Sequence, residues 1–590
     1  MSFDAWVTLA VLALVLLLLV REQVAPALAV LGADVALMVL GVLTPSEALA
    51  GFSNPAPFAV ASLYVIARSV EKTGALQPLL RSALAGVRSP RRALGRLLLP
   101  VAASSAFLNN TPIVAMLAPQ VAGWAKRTGQ SPSRYLMPLS FAAILGGVVT
   151  AIGTSTTLVV AGLMEAHGMP PLGMFEMTRI GLPLALMGVV FLVVAAPRLL
   201  PARAGAFDEL QVGSRDFVVA MEVLPGGALD GESVEKGALR SLQGVFLAEV
   251  RRSGEAVAPA RPDTVLHGGD HLVFVGRADQ VLDLQNNAGL RSAQHQHAVD
   301  FHAAGHTYFE AVIGPGSLLV GRTLKNADFR SSYQAAVVGI HRAGEAVHAK
   351  LGDVRLRVGD TLLLLSDEGF RDRWRDRPEF LLVADSGGLA PTSTRQAWAV
   401  GAVLLGVVAF SAFGVLPILH AAMLGALVLV GGRVLTPGEA RRAVDLDVVV
   451  LIAAAFGLGR ALEVTGLAGG LATGILSVFQ GLGVPGVLLG LVLTTLILTE
   501  LVTNNAAAVL VFPVAMAAAE SFALDPRPVA ILVAIGASAS FLSPIGYQTN
   551  TMVLGYGGYR FSDYPRLGGA LTLLVVVMLT LALPMLWRLG

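Results

Sequence analysis

Two strings of small polar residues sit inside otherwise apolar text: Asn109-Asn110-Thr111 and Thr503-Asn504-Asn505. Each has a companion farther along. For the first it is Gly153-Thr154-Ser155-Thr156-Thr157; for the second it is Ser543-Pro544-Ile545-Gly546-Tyr547-Gln548-Thr549-Asn550. Non-helical backbone at membrane depth survives only where it lines a polar cavity or is buried in protein, so paired interruptions point to a binding site. Amide and hydroxyl oxygens with freed carbonyls suit a hard monovalent cation such as sodium. Half-helix N-termini, with exposed N–H groups and the positive dipole end, suit an anion. Held at the same tips, an anion and its coupling cations would lower each other's cost of burial. Asn and Thr also cap interrupted helices and join helices without any transport role. Four motifs in related pairs favour a site over that plainer reading.

Composition requires a membrane around these motifs. The chain is 55% hydrophobic and 14% charged, where a soluble protein carries about 25% charge, and its mean hydropathy is +0.70. The apolar excess needs a bilayer to absorb it. The net charge of +2, with no basic stripe, implies no nucleic-acid partner. The absence of cysteine excludes disulfides, thiolate metal sites and a cysteine nucleophile. No nucleophile–base–orienter set is present, so the chain is not read as an enzyme. The first apolar run, Ala5 to Val20, lacks a basic flank and reads as a crossing rather than a signal peptide.

The expected fold is an α-helical polytopic membrane protein. It is an inverted repeat of five crossings plus one re-entrant hairpin per half, with a cytoplasmic insert of two small α/β modules. The boundaries read as 1–204 for the first transmembrane repeat, 205–297 and 298–390 for the two modules, and 391–590 for the second repeat. Leu43-Thr-Pro-Ser-Glu-Ala48 returns as Leu435-Thr-Pro-Gly-Glu-Ala440, and Arg68, Glu71, Thr73 and Gly74 return as Arg460, Glu463, Thr465 and Gly466, all 392 residues on. The Asn strings follow at an offset of 394. In the first half the crossings are expected near 5–20, 24–43, 55–72, 135–165 (broken) and 180–199. The hairpin is expected at 97–124, where Pro100, Pro112 and Pro119 fall. The insert repeats too: Gly231, Arg252, Gly254, Glu255 and Asp270 match Gly321, Arg342, Gly344, Glu345 and Asp360 at an offset of 90.

Five crossings per half force opposite orientations of the halves. Arg81, Arg91, Arg92, Lys126, Arg127, Arg198, Arg441, Arg442, Arg560 and Arg566 then fall on one side, while loops 44–54 and 414–418 carry no Lys or Arg. By the positive-inside rule the insert is cytoplasmic and both termini are periplasmic, in a bacterial inner membrane. The 76–96 segment reads as amphipathic, lying along the lipid surface.

Asn109-Asn-Thr-Pro-Ile-Val-Ala-Met-Leu-Ala-Pro119 resembles the Ser-Asn-Thr hairpin of the divalent anion/sodium symporter superfamily, and Thr503-Asn-Asn-Ala-Ala-Ala-Val-Leu-Val-Phe-Pro513 resembles its second copy. The likeness covers about two-thirds of the chain. The insert resembles a tandem of the C-terminal regulatory modules of potassium uptake proteins (TrkA-C). The resemblance implies a homodimer with a fixed scaffold and a mobile, elevator-like transport domain. It implies that Asn109, Asn110, Thr111, Thr503, Asn504 and Asn505 touch substrate. It also implies sodium sites at Asn110, Gly153, Thr154 and Ser155, and at Asn504, Gly546, Thr549 and Asn550. Asn109 and Thr503 stand where the family has Ser, and Asn505 where it has Thr. That weighs against a dicarboxylate, and members with such an insert look more like sulfate permeases.

The implied function is sodium-coupled uptake of a small divalent anion, sulfate favoured, with no organic cofactor. Dicarboxylate transport and proton coupling through Glu500 are the neighbouring alternatives, since ionisable groups in a membrane are often functional; Asp34 is the other such carboxylate. Arg68/Glu71 and Arg460/Glu463 read as structural pairs three residues apart. His295, His297, His302 and His306 could bind a metal but read as a solvated linker. Residues 205–390 could take a small-molecule regulator. An ion channel or a membrane sensor forms the rival class, yet a channel would use a ring of filter loops rather than two opposed Asn tips.

Overall fold

The Thr-Pro-x-Glu strings open helices by a shared device. Thr44 Oγ1 accepts from the Glu47 N–H and Glu47 returns a carboxylate oxygen to the Thr44 N–H; Thr436 and Glu439 do the same. Two orphan N–H groups are satisfied reciprocally at each start. The structure, a computed structural model, describes residues 2–21, 24–84, 86–87, 89–203, 216–237, 239, 245–252, 255–257, 263–277, 290–292, 306–314, 316–342, 345–347, 351–367, 369–374, 377, 379–385 and 394–587. It divides into two compact units. One comprises 1–202, 389–554 and 560–590; the other comprises 203–388 with 555–559.

In the first unit the helices of the two halves recur in order. Phe3–Val20 answers Thr394–Ala412, Pro26–Val39 answers Ile418–Gly431, and Pro55–Thr73 answers Leu446–Val464. Pro90–Ser105 and Asn110–Arg127 answer Gly483–Leu501 and Asn504–Ser521. The broken pair Leu136–Gly147 and Ser155–Ala166 answers Pro526–Ser538 and Gln548–Tyr556. Among the described residues five helices are long and apolar enough to cross a bilayer, and the bent pair Leu446–Val464 with Leu467–Gly474 makes a sixth. The expected crossing at 24–43 is shorter, Pro26–Val39, because Gly41 turns left-handed at φ +78° and the capped start at Thr44 follows. The expected amphipathic segment 76–96 divides into Gln77–Leu84 and a helix beginning at Pro90.

Arg68 and Glu71 pair at 2.7 Å; Arg460 lies 3.4 Å from Glu463 and also reaches Glu47 at 3.2 Å. Both are helix-end contacts of the structural kind that their spacing suggested.

Among the described residues of the second unit ten strands form two five-stranded sheets: β1 (Asp216–Val223), β2 (Val245–Arg252), β3 (Glu255–Val257), β4 (His271–Arg277) and β5 (Leu290–Ser292), then β6 (His306–Ile313), β7 (Ala336–Arg342), β8 (Glu345–Ala346), β9 (Thr361–Asp367) and β10 (Phe380–Asp385). Their orders, β3-β2-β4-β1-β5 and β8-β7-β9-β6-β10, are the same arrangement. All pairings among the described strands are antiparallel. Among the described residues the insert's α-helices are the five-residue Phe329–Tyr333 and Phe370–Trp374. The run Thr361-Leu-Leu-Leu-Leu365 is continuously apolar because β9 is the central strand, with Leu362, Leu363 and Leu364 all buried.

The matched Arg and Asp of each repeat meet. Arg252 donates twice to Asp270 at 2.8 Å, and Arg342 twice to Asp360 at 2.8 and 2.7 Å. In both, the second guanidinium nitrogen also bonds a carbonyl, of Val265 or of Arg355. His295, His297 and His302 lie outside the described residues, and among those described no cluster has metal-ligand form.

Candidate functional site

The helix Pro90–Ser105 stops short of Asn110–Arg127, and the turn between them is fastened by a hydroxyl. Ser105 Oγ lies 2.5 Å from Asn110 Oδ1 and 2.8 Å from the Ala143 carbonyl. The second half repeats this at the same offset of 394. Thr499 Oγ1 lies 3.0 Å from Asn504 Oδ1 and 2.5 Å from the Ala537 carbonyl. Each hydroxyl ties a hairpin tip to the end of the first half of a broken helix, so tip and break form one body. Ser105 and Thr499 were not singled out in the sequence, although they precede the two Asn residues at equal distance.

The breaks pack closely enough to require glycine. A Cβ on Gly153 would fall 2.5 Å from the Gly147 carbonyl oxygen and 2.7 Å from that of Ser105. One on Gly546 would fall 2.6 Å from the Thr499 carbonyl oxygen, with Ser540 Oγ also in contact. Carbonyls of twin residues thus converge on twin glycines, and Asn110 Oδ1 lies against Gly147. Hard-oxygen cradles of this kind match the chemistry of a monovalent cation.

The tips also meet the opposite half. Thr111 Oγ1 bonds Gln548 Oε1 at 3.4 Å, and its twin Asn505 accepts from Ser155 at 3.3 Å and Thr156 at 3.0 Å. Asn110 Nδ2 donates to the Tyr547 hydroxyl at 2.6 Å, which also lies 3.1 Å from Thr154 Oγ1. Asn504 Nδ2 has no partner although the residue is 7% exposed. Asn109 is half-buried and hydrogen-bonds Tyr64. Thr503 is exposed and caps its helix by accepting from Ala506 N–H. Asn110, Thr111, Asn504, Asn505, Gly153, Thr154, Ser155 and Gly546 therefore belong to the two tip-and-break assemblies, while Asn109 meets Tyr64 and Thr503 only caps its helix.

Thr549 and Asn550 join the second break to a helix of the first half. Ser140 Oγ bonds Thr549 Oγ1 at 2.9 Å and Asn550 Oδ1 at 2.7 Å, while Asn550 Nδ2 donates to the Ser540 and Ser543 carbonyls. Ser140 gave no sequence signal, since it is one hydroxyl in an apolar helix. Glu500 accepts from the backbone N–H groups of Phe541 and Leu542, both at 2.8 Å, and from Ser540 Oγ at 3.2 Å. It acts as an anchor for the second break, capping free N–H groups that the neutral twin, Ala106, leaves to other partners.

Residues 15–536 match the profile of the citrate transporter family. The chain is 35% identical to the uncharacterized transporter sll0640 of Synechocystis, over 98% of this chain and 96% of that one. It is 29% identical to the uncharacterized transporter YfbS of Escherichia coli, over 99% of each. It is 25% identical to sodium/sulfate cotransporter 1 of Chlamydomonas reinhardtii, over 89% of this chain and 83% of that one. With most of its length in the profile and nearly all of it aligned to a transporter more than 30% identical, this chain belongs to the citrate transporter family.

Proposed function

We propose that this transporter couples sodium entry to uptake of a small divalent anion, sulfate, by elevator-type alternating access. The carrying observation is the cross-pairing of four interrupted segments: each Asn tip is fastened to the break of its own half and bonded to the break of the other. Such a body can move as a unit, carrying its ligands between the two faces of the membrane. Sodium would sit by Asn110 Oδ1 with the Ser105 and Gly147 carbonyls, and by Asn504 Oδ1 with the Thr499 carbonyl. The anion would sit between the tips, against Asn109, Thr111, Thr503 and Asn505 and the unpaired Asn504 amide. The relatives named sodium/sulfate cotransporters favour sodium and sulfate; the family's own name keeps carboxylates as the rival substrate.

The carrier works as a homodimer in a bacterial inner membrane, with both termini periplasmic. Residues 205–390 form two cytoplasmic TrkA-C-like modules that take a small-molecule regulator. Their duplicated sheets support that division.

Labelled sulfate and labelled succinate uptake into proteoliposomes, under an inward sodium gradient and then a proton gradient, tests the reading. Sodium-driven sulfate uptake is expected. Sodium-driven succinate uptake without sulfate would correct the substrate. Uptake driven by protons alone would move the coupling to Glu500. Flux of neither anion would refute symport.

A further inference from the structure

The two halves of the site differ in one hydrogen bond. Gly546 answers Gly153, so Tyr547 answers Thr154 and Gln548 answers Ser155. The Thr111–Gln548 contact has its twin in Asn505–Ser155. The bond from Asn110 Nδ2 to Tyr547 has none. Its twin would run from Asn504 to Thr154, but a threonine hydroxyl ends one bond past Cβ while a phenol oxygen lies a whole ring farther out. Thr154 Oγ1 sits instead beside the Tyr547 hydroxyl, and Asn504 Nδ2 is left buried with no partner. Unpaired buried donors are rare, and a native one calls for a ligand or a strain account.

We infer that Tyr547 is the specificity-determining residue of the anion site: its hydroxyl occupies the Asn110 amide, while Asn504 Nδ2 stays a buried donor without a partner. The inference rests on the symport reading above. With both tips open, the site could take an extended dianion, one carboxylate at each Asn. With the first tip closed by a phenol, it takes a compact dianion whose two charges share one centre. Sulfate, selenate and thiosulfate have that form; succinate and citrate do not. The discrimination is steric on the Tyr547 side and depends on hydrogen bonding on the Asn504 side, and steric exclusion by a packed ring is of the kind worth about 10-fold or more.

The test uses the full chain in proteoliposomes under a sodium gradient. It measures the KM for sulfate and inhibition by selenate and by succinate, for the wild type, Tyr547→Phe and Tyr547→Thr. The wild type is expected to be inhibited by selenate and not by succinate. Tyr547→Phe keeps the ring and should keep that exclusion. Tyr547→Thr restores the twin's residue and should let succinate compete at a concentration at least about 10-fold lower, with a raised KM for sulfate. Tyr547→Leu carries the same expectation if the threonine variant folds poorly. Sulfate uptake with succinate excluded from both truncations as firmly as from the wild type overturns the Tyr547 assignment alone. So does a wild type inhibited equally by both anions. A wild type that moves no sulfate refutes the symport reading and this inference with it.

Discussion

Asn110→Ala and Asn504→Ala remove the same side chain at twin positions, yet their stability costs should differ. Asn110 is fully buried and both ends of its amide are engaged, by Ser105 at 2.5 Å and by Tyr547 at 2.6 Å. Ser105 keeps the Ala143 carbonyl and Tyr547 keeps Thr154, so neither partner is fully orphaned. Two net bonds at about 0.5–1.5 kcal/mol each put the loss at about 1–3 kcal/mol. Asn504 gives up one bond, to Thr499, which retains the Ala537 carbonyl. The variant also removes a donor already buried without a partner, a change that offsets the lost bond. Its net cost should be about 0–1 kcal/mol. Apparent thermal midpoints at one scan rate, in detergent without sodium, should place Asn110→Ala below Asn504→Ala by a few degrees. Adding sodium should raise the wild-type midpoint, since a ligand of the folded state at 100 times its Kd adds about 2.7 kcal/mol. Neither variant should gain as much, and both should lose coupled uptake. Equal destabilisation of the two variants would refute the asymmetry argument, and wild-type uptake in either would refute the site.

Two further outcomes follow from groups outside the tips. Asp34 is 1% exposed in Pro26–Val39 and both its carboxylate oxygens lack a partner, while its twin at an offset of 392 is Ala426. Asp34→Ala should therefore raise the thermal midpoint, by an amount equivalent to about 1–3 kcal/mol, with uptake retained; lost uptake at unchanged stability would instead make Asp34 part of ion coupling. In the insert, burial pushes the Asp270 carboxyl up, but bonds from Arg252 and the His267 N–H outweigh it and hold it below its usual range. A depressed folded value means the stabilisation is present above the unfolded value and lost as pH falls through the folded one. Asp270→Asn should thus speed hydrogen exchange in β2 and β4 at pH 7, and the difference from wild type should shrink as pH falls below the ordinary Asp range; a difference that stays constant as pH falls would contradict the linkage.

The order and kinds of elements were written in local sequence. Thr-Pro-x-Glu fixes two helix starts because the cap closes within four residues, and a constant offset between halves survives because it depends on chain position alone. The Asn tips were legible for a similar reason: polar residues and prolines in apolar text cannot continue a helix through lipid. The offset could also have yielded Ser105 and Thr499, and Arg252 with Asp270, since each has its twin in the text. What the chain alone did not decide is which tip faces which break. The pairs Asn110 with Tyr547 and Asn505 with Thr156 join residues hundreds of positions apart, so only packing of the two halves sets them. The place of each strand in the insert's sheets was hidden for a related reason. A continuous apolar run has no period, and its place at the centre of a sheet is decided by the strands beside it. Glu500 shows the same limit: the two backbone N–H groups that it caps are brought to it only by the fold.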